Sequence, residues 1–266
     1  MILRAAAVFI LVWCGTLSAR AADVCTIVAD AASGGVVLEE GDCDTRVTPA
    51  STFKVALAVM GFDAGVLKGS HDPVLPFKEG YVAWRKEWKQ PTDPTSWLKY
   101  SVVWYSQQIA HSLGMERFRR YAQAFDYGNA DVSGDFGKNN GLDRAWIASS
   151  LKIAPREQVT FLQKLVAGRL PVSEQAMALT REIVETRPAG DGWTIHGKTG
   201  AAASKTAAGE IVRGRPWGWY VGWASKGDRT YVFAHLIRDE SKQSSPPGFR
   251  ARDAFIAAWP ERAERL

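Results

Sequence analysis

The order of strand-like and helix-like segments is the feature that most constrains how this chain folds. β-rich runs occur near both ends, within residues 24–40 and 192–238, and segments with a helical period dominate the middle. Strands at both ends with helices between them imply one sheet assembled from both ends of the chain. We therefore predict an α+β fold in which an antiparallel sheet, flanked by helices, carries an inserted helical lobe at about residues 45–190.

Capping residues and turns define the individual segments. Pro155 favours a first helical turn and Gly168 a C-terminal cap, and the sequence Lys-Gly-Asp at 226–228 favours a hairpin turn. The predicted helices are 96–113, 115–125, 155–168, 173–186 and 250–259, and the predicted C-terminal strands are 192–200, 217–225 and 229–238.

The first 21 residues have the pattern of a secretory signal peptide. Arg4 precedes the apolar run 5–13, and Ala-Arg-Ala at 19–21 offers a cleavage site flanked by small residues. That run is too short to span a bilayer, and no later segment approaches about 20 apolar residues. We expect residues 1–21 to be removed and residues 22–266 to form a single domain that is exported to the periplasm or the medium without a membrane anchor.

Cys25 and Cys43 are the two cysteines that remain after this cleavage, in a chain bound for an oxidising compartment. The β-rich runs 24–30 and 36–40 predict a hairpin, and pairing about a turn centred on Gly34 places position 25 opposite position 43. We therefore expect a disulfide between these two cysteines across the hairpin.

The charge balance argues against a nucleic-acid partner. Loss of Arg4 and Arg20 lowers the Lys+Arg count from 33 to 31 against 28 Asp+Glu, so the formal charge falls from +5 to +3. The basic residues are scattered, without the run that a phosphate backbone requires.

A serine and a lysine three positions apart begin the long apolar run 49–62. If a helix starts near Pro49, the Ser51 hydroxyl and the Lys54 amine share one face, and the amide of Ser51 lacks an intrahelical partner. Burial lowers the pKa of a lysine, so Lys54 would be a base beside a nucleophile. The same spacing occurs at Ser96/Lys99 and Ser149/Lys152, where we expect surface lysines, so the spacing alone identifies no site.

Three further short motifs follow in order: Ser101-Val102-Val103, Tyr127-Gly128-Asn129 and Lys198-Thr199-Gly200. Together with Ser51-Thr52-Phe53-Lys54 they resemble the four motifs of the class D, or oxacillinase-type, serine β-lactamases. The resemblance covers roughly residues 45–258. It implies the fold of the penicillin-recognising enzymes and hydrolysis of the β-lactam ring of penicillin-type antibiotics.

The resemblance assigns roles to individual residues. Lys54 would react with carbon dioxide, supplied as bicarbonate, to form a carbamate that is the general base. Phe53 and Val103 would be the apolar walls of its pocket, and the Trp146 indole would donate a hydrogen bond to it. No metal or other cofactor is implied.

Further roles concern the substrate. Ser51 would be the nucleophile, its amide and that of Ala201 would form the oxyanion hole, and Ser101 and Lys198 would pass a proton to the lactam nitrogen. The resemblance assigns substrate binding to Thr199, Gly200 and Arg250. Of these, Thr199 and Arg250 would bind the substrate carboxylate, with Arg252 as the alternative arginine. Tyr127, Gly128 and Asn129 are treated as structural.

Three alternatives remain open on sequence grounds. A β-lactam sensor domain and a cell-wall transpeptidase would both be acylated on the same serine without rapid turnover. A metallo-hydrolase is disfavoured because the histidines lack ligand spacing; they are His71, His111, His196 and His235. The expected partner is a small-molecule β-lactam, and the enzyme would act as a monomer or homodimer.

Overall fold

The computed structural model describes residues 22–205 and 210–266. The predicted signal peptide at 1–21 lies outside this range. Six strands form one antiparallel sheet in the order β2-β1-β6-β5-β4-β3. Their bounds are β1 Ala22–Asp30, β2 Val36–Gly41, β3 Thr186–Pro188, β4 Thr194–Lys205, β5 Ile211–Lys226 and β6 Arg229–Arg238. The first two strands pair with the last through β1 and β6, so the sheet is assembled from both ends of the chain, as predicted.

Most of the helices lie between β2 and β3 in the sequence. The described helices are α1 Phe53–Asp63, α2 Pro94–Tyr100, α3 Val103–Ala124, α4 Gly141–Arg144, α5 Pro155–Val166, α6 Glu174–Ile183 and α7 Pro247–Ala263. Across the described ranges, none of them combines the length and apolarity needed to span a membrane. The α+β architecture with an inserted helical lobe is confirmed.

Two apolar clusters cover the sheet. The larger joins one sheet face to α1, α3 and α5, and contains the wholly buried run from Val55 to Met60 in α1. The smaller joins the other face to α7 through Phe233, Phe255 and Trp259. An almost entirely buried α1 has no polar face, which explains why its apolar run lacks a helical alternation.

The predicted helix 96–113 is wrong in one respect, because it is two helices. The chain breaks between α2 and α3 at Ser101, which has φ 60° and ψ 40°. A second non-helical residue, Gly114 with φ 72°, interrupts α3 close to the predicted boundary. A helical period carries no signal for a single residue in the left-handed region, so the pattern continued through the break.

The predicted hairpin and disulfide form, but the predicted register is wrong. Asp30 N donates to Gly35 O at 2.9 Å, so the turn is centred between Ala32 and Ser33 rather than on Gly34. As a result, Cys25 lies opposite Gly41 and not opposite Cys43. The Cys25–Cys43 disulfide still closes, with its Cα atoms 5.1 Å apart. Gly41 has φ +81° and a Cβ there would collide with the Val24 carbonyl oxygen, so the glycine lets the chain bend back towards Cys25.

Candidate active site

A short 3₁₀ turn, Ala50–Thr52, leads directly into α1 and carries Ser51. The predicted helix start near Pro49 is therefore four residues early, because regular α-helix begins at Phe53. Thr52 stabilises the turn, because its amide and its hydroxyl both donate to the Pro49 carbonyl, at 3.2 and 2.8 Å. Ala50 before the serine has φ 50°, an uncommon conformation for a residue with a side chain. The backbone at Ser51 is thus held in a tight turn.

Lys54 is the second residue of α1, about one turn after Ser51, and its Nζ donates to Ser51 Oγ at 3.3 Å. Its side chain is 0% exposed. Burial, with a smaller effect of the Lys198 charge, holds the pKa of Lys54 well below its usual value. Within the described ranges it forms no ion pair. A neutral amine at this distance can accept the proton of the serine hydroxyl.

The helix that carries Lys54 is part of the larger apolar cluster, which also contains Phe53, Val103 and Trp146. Phe53 stacks on Trp146 with ring centroids 5.6 Å apart and meets Tyr127 edge to face at 5.2 Å. Val103, at the start of α3, is also buried. The buried Nε1 of Trp146 and Oγ of Ser101 have no hydrogen-bond partner within the described chain. Buried polar atoms are nearly always paired, so each of these two atoms is free to bond to a further polar group.

The break between α2 and α3 determines where Ser101 lies. Trp88 supports it, because its Nε1 donates to the Tyr100 carbonyl at 2.9 Å. The amide of Val102 donates to Trp97 O at 3.1 Å and closes the end of α2. A non-glycine residue in the left-handed region persists only where its surroundings fix it, and such residues cluster at functional sites.

Strand β4 places the last of the four motifs, Lys198-Thr199-Gly200, next to the turn that carries Ser51. Pairing with β3 extends only to His196, so beyond it the outer edge of β4, at Lys198 to Gly200, is not covered by β3 and faces the 3₁₀ turn. A Cβ on Gly200 would lie 3.0 Å from the Pro49 carbonyl oxygen, so glycine favours this close approach.

Lys198 is buried, and its Nζ donates to the Thr199 carbonyl at 3.0 Å. Burial lowers the pKa of Lys198 to about 8; nearby Glu185 opposes this shift, and the charges of Arg85 and Arg252 reinforce it. The site therefore holds two buried lysines with depressed pKa values.

These elements border a cavity of about 220 Å³, which we call the serine cleft. Its lining includes six of the predicted residues: Ser51, Ser101, Val103, Thr199, Gly200 and Ala201. It also includes Trp84, Arg85, Trp88 and Phe249, which the sequence patterns did not identify. The stretch Ala-Trp-Arg-Lys-Glu-Trp at 83–88, where aromatic and charged residues alternate outside any helix or strand pattern, was the available signal.

The third motif lies elsewhere. Tyr127 is buried behind Phe53, and burial raises its pKa. The Asn129 side chain donates to Ser150 O at 2.9 Å and accepts from Lys152 N at 2.9 Å, and a Cβ on Gly128 would overlap Lys152 O. We call the contact set of Asn129, Ser150 and Lys152 the asparagine junction.

Arg250 is also outside the serine cleft. Its guanidinium pairs with both carboxylate oxygens of Asp239, which is 1% exposed, and also reaches Ser245. Arg252, the alternative, donates to Asp253 at 2.8 Å and lies over the Phe249 ring. Neither guanidinium borders the cavity in this structure.

The other lysines with serine spacing are exposed, as expected: Lys99 and Lys152. A larger pocket of about 620 Å³ includes Asn129, Ser149 and Lys152 but none of Ser51, Lys54 or Lys198. The volume of a pocket therefore does not identify the candidate active site in this protein, whereas the buried lysines do. Among residues 22–205 and 210–266, no cluster of three or more His, Cys, Asp or Glu side chains is placed to hold a metal ion.

Comparisons with known proteins agree with this geometry. A family model described as the penicillin binding protein transpeptidase domain matches residues 24–255. This defines the class as a penicillin-recognising fold. The chain is 44% identical to β-lactamase OXA-9 of Klebsiella pneumoniae over 237 residues, 89% of this chain and 86% of that protein. It is 37% identical to β-lactamase OXA-1 of Escherichia coli over 219 residues, 80% and 75% of the two chains.

Solved structures give the same assignment. The crystal structure of the OXA-427 class D β-lactamase superposes with a TM-score of 0.85 at 46% identity, covering 91% of this chain and 98% of that one. A class D β-lactamase from Bacillus subtilis gives a TM-score of 0.75 at 27% identity, covering 91% and 92%. The chain belongs to the class D β-lactamase family, as its four motifs predicted.

Proposed function

We propose that this enzyme hydrolyses the β-lactam ring of penicillin-type antibiotics through an acyl-enzyme on Ser51, and so confers antibiotic resistance. The observation that carries the proposal is Lys54: fully buried, without a carboxylate partner in the described chain, and 3.3 Å from the serine oxygen. A lysine that served only the fold would be expected to reach water or an acidic partner.

Acylation requires the serine to lose its proton as it attacks. The Ser51 hydroxyl transfers its proton to the general base on Lys54, its oxygen forms an ester with the lactam carbonyl carbon, and the carbon–nitrogen bond breaks. Ser101 and Lys198 pass a proton to the released nitrogen. The Ser51 and Ala201 amides stabilise the oxyanion, an interaction whose loss costs about 3 kcal/mol when one donor is removed from a comparable site.

Deacylation uses the same general base, with water as the nucleophile and Ser51 as the leaving group. A water molecule gives its proton to the same base, attacks the ester carbon and releases the opened product, while Ser51 regains its hydroxyl. This second step separates a hydrolase from a protein that is only acylated.

The residues around Lys54 fit a lysine carboxylated on Nζ by carbon dioxide. Carboxylation would replace the neutral amine with a negatively charged carbamate as the general base. The lowered pKa of Lys54 favours the unprotonated amine that such a reaction needs. Trp146 Nε1 and Ser101 Oγ are buried donors without partners in the described chain, and the apolar side chains of Phe53 and Val103 are also buried.

Substrate binding is assigned to the edge of β4. Thr199 and Gly200 line the serine cleft beside Ser51, so a lactam lying along this edge meets a hydroxyl and an open backbone. Arg250 is the arginine proposed from sequence, although its guanidinium is held by Asp239 here. Tyr127, Gly128 and Asn129 are proposed to shape the base of the site without contacting the reacting atoms.

The test is to mix the protein with excess benzylpenicillin, with and without bicarbonate, while following lactam absorbance and protein mass. We expect many turnovers and an increase with bicarbonate in protein first exposed to acidic, carbon dioxide-depleted buffer. Consumption of one equivalent with a lasting adduct on Ser51 would instead indicate a sensor or transpeptidase. Indifference to bicarbonate after depletion would refute the carboxylated lysine.

We also propose export by a cleaved signal peptide at 1–21, with 22–266 as one catalytic domain in the periplasm or medium. The Cys25–Cys43 disulfide supports an oxidising compartment. N-terminal sequencing of protein recovered from the periplasm of a bacterial host should begin at Ala22. A product that retains the first 21 residues would contradict cleavage.

A further inference from the structure

Thr48, three residues before Ser51, uses its hydroxyl both as a donor and as an acceptor. Its Oγ1 donates to the Trp146 carbonyl oxygen at 3.1 Å and accepts from the Ala148 amide at 3.1 Å. Thr48 is 8% exposed, and its hydrogen bond to Trp146 is buried. One hydroxyl therefore fixes two backbone groups, one on each side of Ile147.

Residues 145–151, which we call the tryptophan loop, lie between α4 and α5. The loop is closed at its base, where the Leu151 amide donates to the Ala145 carbonyl at 3.0 Å. Within it, Ala148 has φ 51°, a conformation that a non-glycine residue keeps only where its surroundings fix it. The hydrogen bond from the Ala148 amide to Thr48 is such a constraint. Without the Thr48 hydroxyl, we expect the tryptophan loop to relax.

Thr48 is itself fixed to the sheet and to the segment that leads to the serine. Trp219 in β5 is wholly buried, and its Nε1 donates to the Thr48 carbonyl at 3.0 Å. The preceding residue, Val47, pairs with Ile153 through two backbone hydrogen bonds of 3.1 and 2.8 Å. Thr48 therefore connects β5, the tryptophan loop and the turn that carries Ser51.

This backbone anchor determines where the Trp146 indole nitrogen lies. The Trp146 ring stacks on Phe53 at 5.6 Å and meets Phe118 edge to face at 6.2 Å. Such apolar contacts fix the plane of the ring more than its position within that plane. The position within the plane depends on the Trp146 backbone, which Thr48 holds. The nitrogen concerned, Nε1, is a buried donor without a partner in the described chain.

We propose that Thr48 is a positioning residue for the general base: it fixes the tryptophan loop so that Trp146 Nε1 can donate to a carboxylated Lys54. The inference rests on the proposed function, because it assumes that Lys54 carries a carbamate. Thr48 does not line the serine cleft, so it acts through Trp146 rather than on the substrate. A well-placed donor stabilises the carbamate against loss of carbon dioxide, so Thr48 would determine how much bicarbonate the enzyme requires.

The experiment compares Thr48→Val, which has a similar shape without the hydroxyl, with Thr48→Ser, which keeps the hydroxyl. Each protein is depleted of carbon dioxide in acidic buffer, returned to neutral pH and titrated with isotopically labelled bicarbonate. Carbon NMR spectroscopy follows the carbamate, and absorbance follows benzylpenicillin hydrolysis. For Thr48→Val we expect half-maximal carboxylation and half-maximal activity at about fivefold more bicarbonate. Thr48→Ser should stay within about twofold of the wild type.

A matched control and a double variant separate positioning from a general loss of stability. Thr26→Val removes another buried threonine hydroxyl, which bonds to His235 Nδ1 at 2.8 Å, and should lower the melting temperature without changing the bicarbonate requirement. Thr48→Val combined with Trp146→Phe should require no more bicarbonate than Trp146→Phe alone, because the donor through which Thr48 acts is already absent.

Three outcomes would overturn the proposal: a wild-type bicarbonate requirement in folded Thr48→Val, an equal rise in Thr48→Ser, or effects that multiply in the double variant. The melting temperature shows which variants are folded, and Thr48→Ala, which introduces no additional atoms, replaces Thr48→Val if the valine prevents folding. Wild-type protein that gives no carbamate signal and is indifferent to bicarbonate would refute the carboxylated lysine of the proposed function, so the two failures remain distinct.

Discussion

The serine cleft and the asparagine junction differ in how their polar groups are paired: those at the junction are hydrogen-bonded, whereas several around the cleft are not. At the junction, the side chain of Asn129 donates to Ser150 and accepts from Lys152 and Asp131, and Ser150 Oγ donates to Asp131 O. Around the cleft, two lysines are buried without an acidic partner in contact, and two buried polar atoms have no partner in the described chain. Only one of these arrangements is optimal for folding.

The difference indicates which motif carries chemistry. Paired polar groups stabilise a structure, while unpaired buried ones reduce stability and persist where a ligand or reaction needs them. The same reasoning separates the three serine–lysine pairs, since Lys54 is buried and both Lys99 and Lys152 are exposed. Burial, rather than spacing, distinguishes the reactive lysine.

The largest effect should come from removing the buried base. We expect Lys54→Ala to lower kcat by about 10³-fold or more, because both acylation and deacylation need a proton acceptor. Near-UV circular dichroism should show an unchanged fold, and Lys54→Met, which restores the lost volume, should be equally inactive. The control Lys152→Ala has the same spacing from its serine and should keep full activity. Near wild-type hydrolysis by Lys54→Ala would refute the general-base role.

The next effect concerns pH. Lys198 has its pKa lowered to about 8, so it loses its proton as the pH rises through that value. If its ammonium helps to protonate the lactam nitrogen, kcat/KM should fall about tenfold between pH 7 and pH 9. Lys198→Arg keeps the charge throughout this range and should move the fall to higher pH. An identical pH profile in the variant would show that another group is responsible.

Much of this fold could be predicted because its signals are local or additive. The strands at both ends, the buried run in α1 and the cysteine pair are all visible in residue type and order, and each is present in the structure. The break at Ser101 was not predictable from a helical period, because one left-handed residue leaves the surrounding apolar pattern unchanged.

The site divides along the same line. Ser51, Lys54 and Lys198 come from short motifs and are brought together by the 3₁₀ turn, α1 and β4. Arg85 and Trp84 come from an irregular segment whose position depends on tertiary packing, so sequence patterns could not place them at the cleft. Arg250 and Asp239 are 11 residues apart in the sequence, and their pairing depends on side-chain geometry, so it could not be predicted from the sequence either.

A smaller effect should follow from removing one unpaired donor. Trp146→Phe preserves the stacking on Phe53 but deletes Nε1, so we expect kcat to fall about fivefold and more bicarbonate to be required for half-maximal activity. The control Trp97→Phe deletes an indole donor that is already paired with Ser106 and should lower stability without altering the bicarbonate requirement. An unchanged bicarbonate requirement in Trp146→Phe would contradict a role for this donor at Lys54.

The smallest effect on activity should occur at the asparagine junction. Asn129→Ala removes the hydrogen bonds to Ser150, Lys152 and Asp131, and we expect the free energy of unfolding to fall by about 2 kcal/mol in urea denaturation. Because none of these groups borders the serine cleft, kcat/KM of the folded enzyme should change less than about twofold. Asn129→Asp retains the acceptor oxygen and should lose less stability. A large loss of activity with unchanged stability would place Asn129 in the catalytic machinery and remove the distinction between the two regions.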